Sequence, residues 1–276
     1  MNKKNWKNQY KIEKDFEKSL YKCKSYFNRL AKLAHGDLQR FSSLMERFQR
    51  SEAWERFVQH QVNKMLTPLN VQNERTWRIA AKKATRSEYI YSLLKRELKG
   101  NINYRLEQLR QENANLIKTL PSDVAQKVVN DVQEMAMEGK RASEIEQYIR
   151  QYTDRHTRAS ARLIARTEVS KAQSNLTQAR AEALEVKWYV WRTEEDQRVR
   201  DSHANMNDVL VSWMSPPQPE VLIGEKSVGA YHAGCIWNCR CYAEPLVEID
   251  DISWPHKVYY SGTIQTMTKA KFEEIM

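Results

Sequence analysis

"VKWYVWRT" at residues 186–193 is where the chain changes character. β-branched and aromatic side chains succeed one another there, with none of the three- and four-residue apolar spacing that precedes them. That is strand grammar, and it follows some 185 residues that read as helix. "TEEDQRV" reads as a turn, "DVLVSW" as a second strand, Pro216-Pro217-Gln218-Pro219 as an extended loop, and "CYAEPLVEI" as a last strand. On this reading all the β content falls within roughly 186–250.

Upstream, Ile12, Phe16, Leu20, Cys23, Phe27, Leu30 and Ala34 step by four, four, three, four, three and four, one apolar stripe on a single helix. Cys23 lies on that stripe and reads as a small hydrophobe. Gly36 punctuates, and Leu38, Phe41, Met45 and Phe48 begin another helix. Ser51 starts a third, which carries Trp54, Phe57, Val58, Val62 and Met65 and is expected to stop at Pro68. His60 falls off the stripe and reads as half-exposed. Two further helices should break near Gly100-Asn101. Pro121-Ser122-Asp123 opens another that Gly139 ends, Ser143 caps a short one, and residues 157–184 read as one long helix. Leu163, Ala172, Leu176, Ala179 and Ala183 would give that long helix a narrow small-residue face.

The expected fold is therefore mainly α, with a small α+β C-terminal module. A basic helical arm (1–120) and a helical connector (121–185) lead to a short antiparallel β, Cys/His-bearing knob (186–250) and a tail (251–276). Only seven glycines and seven prolines in 276 residues suit long helices. The net charge of +10 is uneven: residues 1–120 hold 26 Lys+Arg against 12 Asp+Glu, and residues 121–276 hold 19 against 23. A positive half of that size draws polyanions, nucleic acid first, unless its cations only solvate helix faces. No run of ~18 apolar residues spans a membrane. The charged start lacks a secretory h-region, so synthesis in a reducing cytosol is expected.

"YHAGCIWNCRCY" at 231–242 concentrates the candidate chemistry. His232, Cys235, Cys239 and Cys241 offer four ligands in ten residues, and His203 in "RVRDSHANMN" offers a fifth. Zinc takes four such groups at tetrahedral angles. Cys239 and Cys241, two apart on an extended segment, point the same way. A β module of this size has little core of its own and commonly needs a metal or a cross-link. Structural zinc, packed reduced thiols and a disulfide all remain open on spacing alone. No Gly-rich phosphate loop, nucleophile elbow or catalytic carboxylate pair appears, which fits a non-enzyme.

"IARTEVSKAQSNLTQARAEAL" (164–184), "KWYVWRTEEDQRVRDSHANMND" (187–208) and "YHAGCIWNCRCYAEPL" (231–246) together resemble, in order and spacing, the phage Mu F-like minor head proteins, or phage head morphogenesis proteins. The resemblance covers about 85 residues. It implies metal-binding or structural roles for Asp196, Arg200, His203, His232, Cys239, Arg240 and Cys241. Ala233 stands where the family commonly has Pro, and Asp208 where a turn Gly is usual. Cys235 is an additional thiol, and Arg200-x-x-His203 replaces a Cys-x-x-Cys pair. The resemblance further implies a virion protein of the head interior or portal region, made in the host cytoplasm. Its expected partners are the portal protein, capsid or scaffold proteins, and double-stranded DNA, whose contact residues the sequence does not specify.

Around the cluster, Asp196 is a candidate to orient His203 by accepting its ring N–H, or else simply forms the acidic turn. Arg240 faces away from both cysteines and is expected to pair with a carboxylate such as Glu168. Arg166 and Glu168, two apart on a helix, cannot face each other, so one should reach into the β module. The rival readings are a metal-dependent nuclease built on His203, Asn207 and His232, and a portal- or scaffold-binding protein that touches no DNA.

Overall fold

The computed structural model describes residues 6–7, 9–84, 87–97 and 101–276, so the break expected at Gly100 lies outside the described residues. The helices are α1 (Tyr10–Tyr21), α2 (Lys24–Ala34), α3 (Leu38–Gln49), α4 (Glu52–Ala81), α5 (Ser87–Glu97), α6 (Asn101–Lys118), α7 (Leu120–Met137) and α8 (Ala142–Ala183). They are followed by β1 (Trp188–Arg192), α9 (Asp201–Asn205), β2 (Val209–Ser212), β3 (Tyr242–Pro245), β4 (His256–Tyr260), β5 (Thr263–Met267) and α10 (Lys269–Glu273). A long helical N-terminal part and a small C-terminal sheet with a Cys/His cluster are thus both present. No described helix is long and apolar enough to cross a membrane.

Two compact units share the chain. One gathers residues 10–66 and 109–166, the other residues 1–9, 67–108 and 167–276. The first is all helical. The stripe over 12–34 holds, with Phe16, Leu20, Cys23 and Phe27 fully buried, but it is carried by two helices that part at Lys22-Cys23. Gly36 at φ +82° and the side-chain cap of Asp37 on Arg40 N–H separate α2 from α3. An added Cβ on Gly36 would meet the Ala142 carbonyl oxygen at 2.3 Å, so no other residue fits there. Trp54 anchors the core: it packs on Phe27, Phe48 and Phe57 and donates its indole N–H to Lys118 O at 3.1 Å. Burial holds the Cys23 thiol well above its ordinary pKa.

Two further helix boundaries differ from expectation. α4 runs through Pro68 to Ala81, because Leu66, Leu69 and Trp77 continue its buried face and tertiary packing outweighs one missing N–H. The short helix opened near Ser143 and the long one after 157 are a single 42-residue helix, α8, since neither Gly nor Pro interrupts it. Leu163 is half-exposed, and Ala161 and Ala165 hold the close-packed positions in its place.

The second unit is built on a five-stranded sheet of order β3-β1-β2-β4-β5. β1 is flanked antiparallel by β2 (Trp188↔Ser212) and β3 (Tyr189↔Pro245). β2 meets β4 in parallel at Leu210↔Val258, so the sheet is mixed. β4 and β5 form a hairpin turned by Ser261 and Gly262, both at positive φ, inside the segment expected to be a tail. Alternate residues of β1 and β2 enter two separate apolar layers: Tyr189, Trp191, Val209 and Val211 on one face, and Trp188, Val190 and Leu210 on the other. Trp77, Ala81, Ile90, Leu94, Ala181 and Leu184 join the first layer. The sheet therefore has a substantial apolar core on both faces. Asp208 turns into β2 at φ +64°, the left-handed conformation for which Gly is usual and which Asp tolerates.

Candidate metal centre

The centre is assembled by the first layer. Trp191, from the central strand, packs edge-on against the His203 ring at 5.7 Å. His203 sits on α9, the single short turn between β1 and β2, and is buried. Opposite it, the segment entering β3 carries Cys239 and Cys241, also buried. Two turns set that segment. Gly234, at φ +86°, passes so close to Cys241 O and Ser170 that a Cβ would lie 3.1 Å from each. Asn238, at φ +55°, donates its N–H to Thr167 Oγ1 on α8 at 3.0 Å. Ser174 of the same helix donates to Ala233 O at 2.7 Å.

His203 Nδ1 stands 3.4 Å from Cys241 Sγ and 3.6 Å from Cys239 Sγ, and the three ligand atoms lie within 4.8 Å of one another. A tetrahedral zinc with Zn–S of ~2.3 Å and Zn–N of ~2.1 Å separates its N and S ligands by roughly 3.6 Å. The three residues therefore already stand at coordination spacing. Cys241 N–H also points at Cys239 Sγ, 3.3 Å away, a donor that favours thiolate. Cys239 is held well below its ordinary pKa chiefly by its side-chain hydrogen bond with Cys241, and Cys241 is pushed well above by that same neighbour and by burial.

The other face of the imidazole fixes its tautomer. His203 Nε2 lies 3.0 Å from Tyr231 Oη, and Tyr231 Oη lies 2.6 Å from Glu220 Oε1. The phenol has one proton, and its pKa is raised by burial and by Glu220, so it remains a phenol and donates to the carboxylate. Its oxygen must then accept from Nε2–H, which leaves the Nδ1 lone pair facing the two sulfurs. Glu220 is buried, also receives Ser202 Oγ at 3.3 Å, and keeps Oε2 without a partner. This Glu220–Tyr231–His203 chain supplies the orienting carboxylate that Asp196 was a candidate for. Neither Tyr231 nor Glu220 carried a sequence signal, beyond Tyr231 standing next to His232.

The remaining candidates lie elsewhere. His232 Nδ1 is 3.2 Å from Tyr189 Oη, and its ring packs edge-on against Trp213 at 5.2 Å. Burial lowers its pKa to about 4, so it is a neutral, partly buried histidine outside the ligand group. Cys235 is likewise outside that group, and burial raises its pKa despite a hydrogen bond with Ser174. All four cysteines are unpaired thiols. Arg240 pairs with the carboxylate of Asp196, and Asp196 also accepts Arg198 N–H at 3.0 Å; the two arginines hold its carboxyl down at about 2. Arg200 donates to Trp237 O at 3.0 Å and lies over the Trp237 ring, bracing the turn before Cys239. Arg166 faces Glu13 at 3.5 Å, and Glu168 is buried on α8. Asn207 is engaged by Thr193 N–H and Glu195, so His203, Asn207 and His232 do not converge on one point.

The chain matches, over residues 126–244, the family model described as "Phage Mu protein F like protein". A protein of Haemophilus influenzae described only as uncharacterized is 31% identical over 148 residues, which are 54% of this chain and 31% of that relative. The match thus spans about a third of the curated relative's length. No solved structure matches. The matched segment begins in α7, ends in β3 and contains His203, Cys239 and Cys241 together with Tyr231 and Glu220. Over residues 126–244 the chain is similar to the Phage Mu protein F like family.

Proposed function

We propose that this protein is a structural component of head assembly in a tailed bacteriophage, and that His203, Cys239 and Cys241 hold a zinc ion that ties the β3 entry to α9. The observation that carries this reading is the coincidence of the family segment, 126–244, with the one His/Cys group at coordination spacing among the described residues. Zinc at such a centre supplies a cross-link that neither cysteine oxidation nor further apolar burial would provide. The excess of 14 positive charges over residues 1–120 supports contact with polyanionic or acidic surfaces: the portal, capsid or scaffold proteins, or packaged DNA.

The test is genetic and structural together. A phage whose copy of this gene is disrupted should yield defective heads, restored by the wild-type chain and not by a Cys239→Ala, Cys241→Ala double variant that still accumulates in the cell. Normal heads lacking the chain would refute the assignment. The DNA arm is separable. Titration of duplex DNA with the full chain across salt concentrations should give log affinity falling with log salt, and flat or absent binding leaves the acidic protein surface as the partner.

A further inference from the structure

The cavity beside the thiol pair is lined by His203, Cys239 and Cys241 together with Arg198, Val199, Arg200, Asn238 and Arg240, and it holds about 50 Å³. A water molecule occupies ~30 Å³ of liquid, so the space suits one small ligand. Three of its eight lining residues are guanidinium-bearing and none is acidic. Asp196 pairs with Arg240 and stands 3.8 Å from Arg198. Arg200 spends its charge on a backbone carbonyl, which leaves the wall of the cavity net positive.

Among the described residues, no further side chain completes the metal group on this side. His203, Cys239 and Cys241 are the only His, Cys, Asp or Glu ligands found together there among the described residues. His232 is engaged with Tyr189 and Trp213, and Cys235 with Ser174. Glu220 lies behind the imidazole, 4.0 Å from Nε2, and does not line the cavity.

Resting on the metal reading above, we infer that the centre has three protein ligands, and that its fourth position takes an exchangeable small anion drawn from solution through the arginine-lined cavity. The electrostatics favour that class of ligand. Two thiolates and a neutral imidazole balance a divalent cation, so an anionic fourth ligand leaves the centre with one negative charge. Arg198, Arg200 and Arg240 face that charge across the cavity. A closed structural centre has no use for such a cavity, and a three-ligand centre requires one.

The experiment loads the full-length protein with cobalt(II), whose visible bands report its ligands, and titrates the complex with thiocyanate. Saturable change in the cobalt bands is expected, with Arg198→Ala raising the half-saturating thiocyanate concentration about two- to fivefold. Arg198 is suited to this because its side chain is largely exposed and its loss leaves the core intact. Cys235→Ser should leave the sulfur-to-metal bands unchanged. Cobalt bound stoichiometrically but blind to thiocyanate would overturn the open position, and weakened sulfur bands in Cys235→Ser would name Cys235 as the closing ligand. Failure to bind cobalt at all would overturn the three-ligand centre itself.

Discussion

Replacing Tyr231 with Phe deletes one oxygen and tests the chain that aims His203. In the native protein that oxygen accepts from His203 Nε2–H at 3.0 Å and donates to Glu220 Oε1 at 2.6 Å. His203 and Glu220 are 2% and 6% exposed, so water cannot easily replace it. Glu220 would keep only the longer Ser202 bond, and its Oε1 lies 4.0 Å from Nε2, too far to accept directly. A lost hydrogen bond to a charged group costs ~1.5–3 kcal/mol and an abandoned buried N–H ~1–3 kcal/mol, so a total near ~3 kcal/mol follows. In a protein of this size that is a fall of roughly 6–12 °C in Tm. Loosening the ring should also cost about 10- to 100-fold in zinc affinity, the usual effect of removing a partner behind a ligating histidine. Thermal denaturation followed by circular dichroism reads the first quantity, and competition with a chromogenic chelator reads the second, with Tyr260→Phe at an exposed position as control. A Tm within about 2 °C of wild type together with unchanged zinc affinity would refute the relay.

Other consequences are equally specific. Gly234→Ala forces a side chain into a φ of +86° with its Cβ 3.1 Å from Cys241 O, and should cost ~2 kcal/mol in denaturant unfolding; a loss under ~0.5 kcal/mol would contradict the close approach. His232 has a folded pKa of about 4 against ~6.5 unfolded, so the unfolded chain binds more protons between those values. Stability is therefore full above pH ~6.5 and should fall by ~2 kcal/mol as pH drops towards ~4, a slope that His232→Phe should flatten in denaturant unfolding at several pH values. Cys23, fully buried with its thiol pKa raised, should resist thiol reagents in the native protein and react only on unfolding, as mass spectrometry of labelled peptides would show.

Most helices were legible because their signals are local. The apolar spacing over 12–34, Gly36 with Asp37, and Pro121 at a helix start all act within a turn of chain. Pro68 misled because the stop signal is local while the burial of Leu69 and Trp77 that overrides it is not. The β4–β5 hairpin was legible in principle: Ser261-Gly262 sits between "KVYY" and "TIQT", a two-residue turn between alternating runs. At the site, the pairing of Cys239 with Cys241 follows from strand periodicity, and His203 joins them as the family resemblance implied. What one dimension hides is the choice among histidines, since only packing shows that His232 lies between Tyr189 and Trp213. It hides equally that a buried Glu220, beyond a Pro-rich loop, reaches the imidazole through a tyrosine. Arg240 resisted for a similar reason: an acidic turn 44 residues earlier supplies its partner, and no pattern in the sequence links the two.

Metal binding by His203, Cys239 and Cys241 as a set is the property on which the proposed function depends. Elemental analysis of the full-length protein, purified under reducing conditions without chelator, measures this directly. About one zinc per chain is expected in the wild type and in His232→Phe, and none in the Cys239→Ala, Cys241→Ala double variant. A folded wild-type chain free of metal, or zinc lost with His232 and kept without the two cysteines, would contradict it.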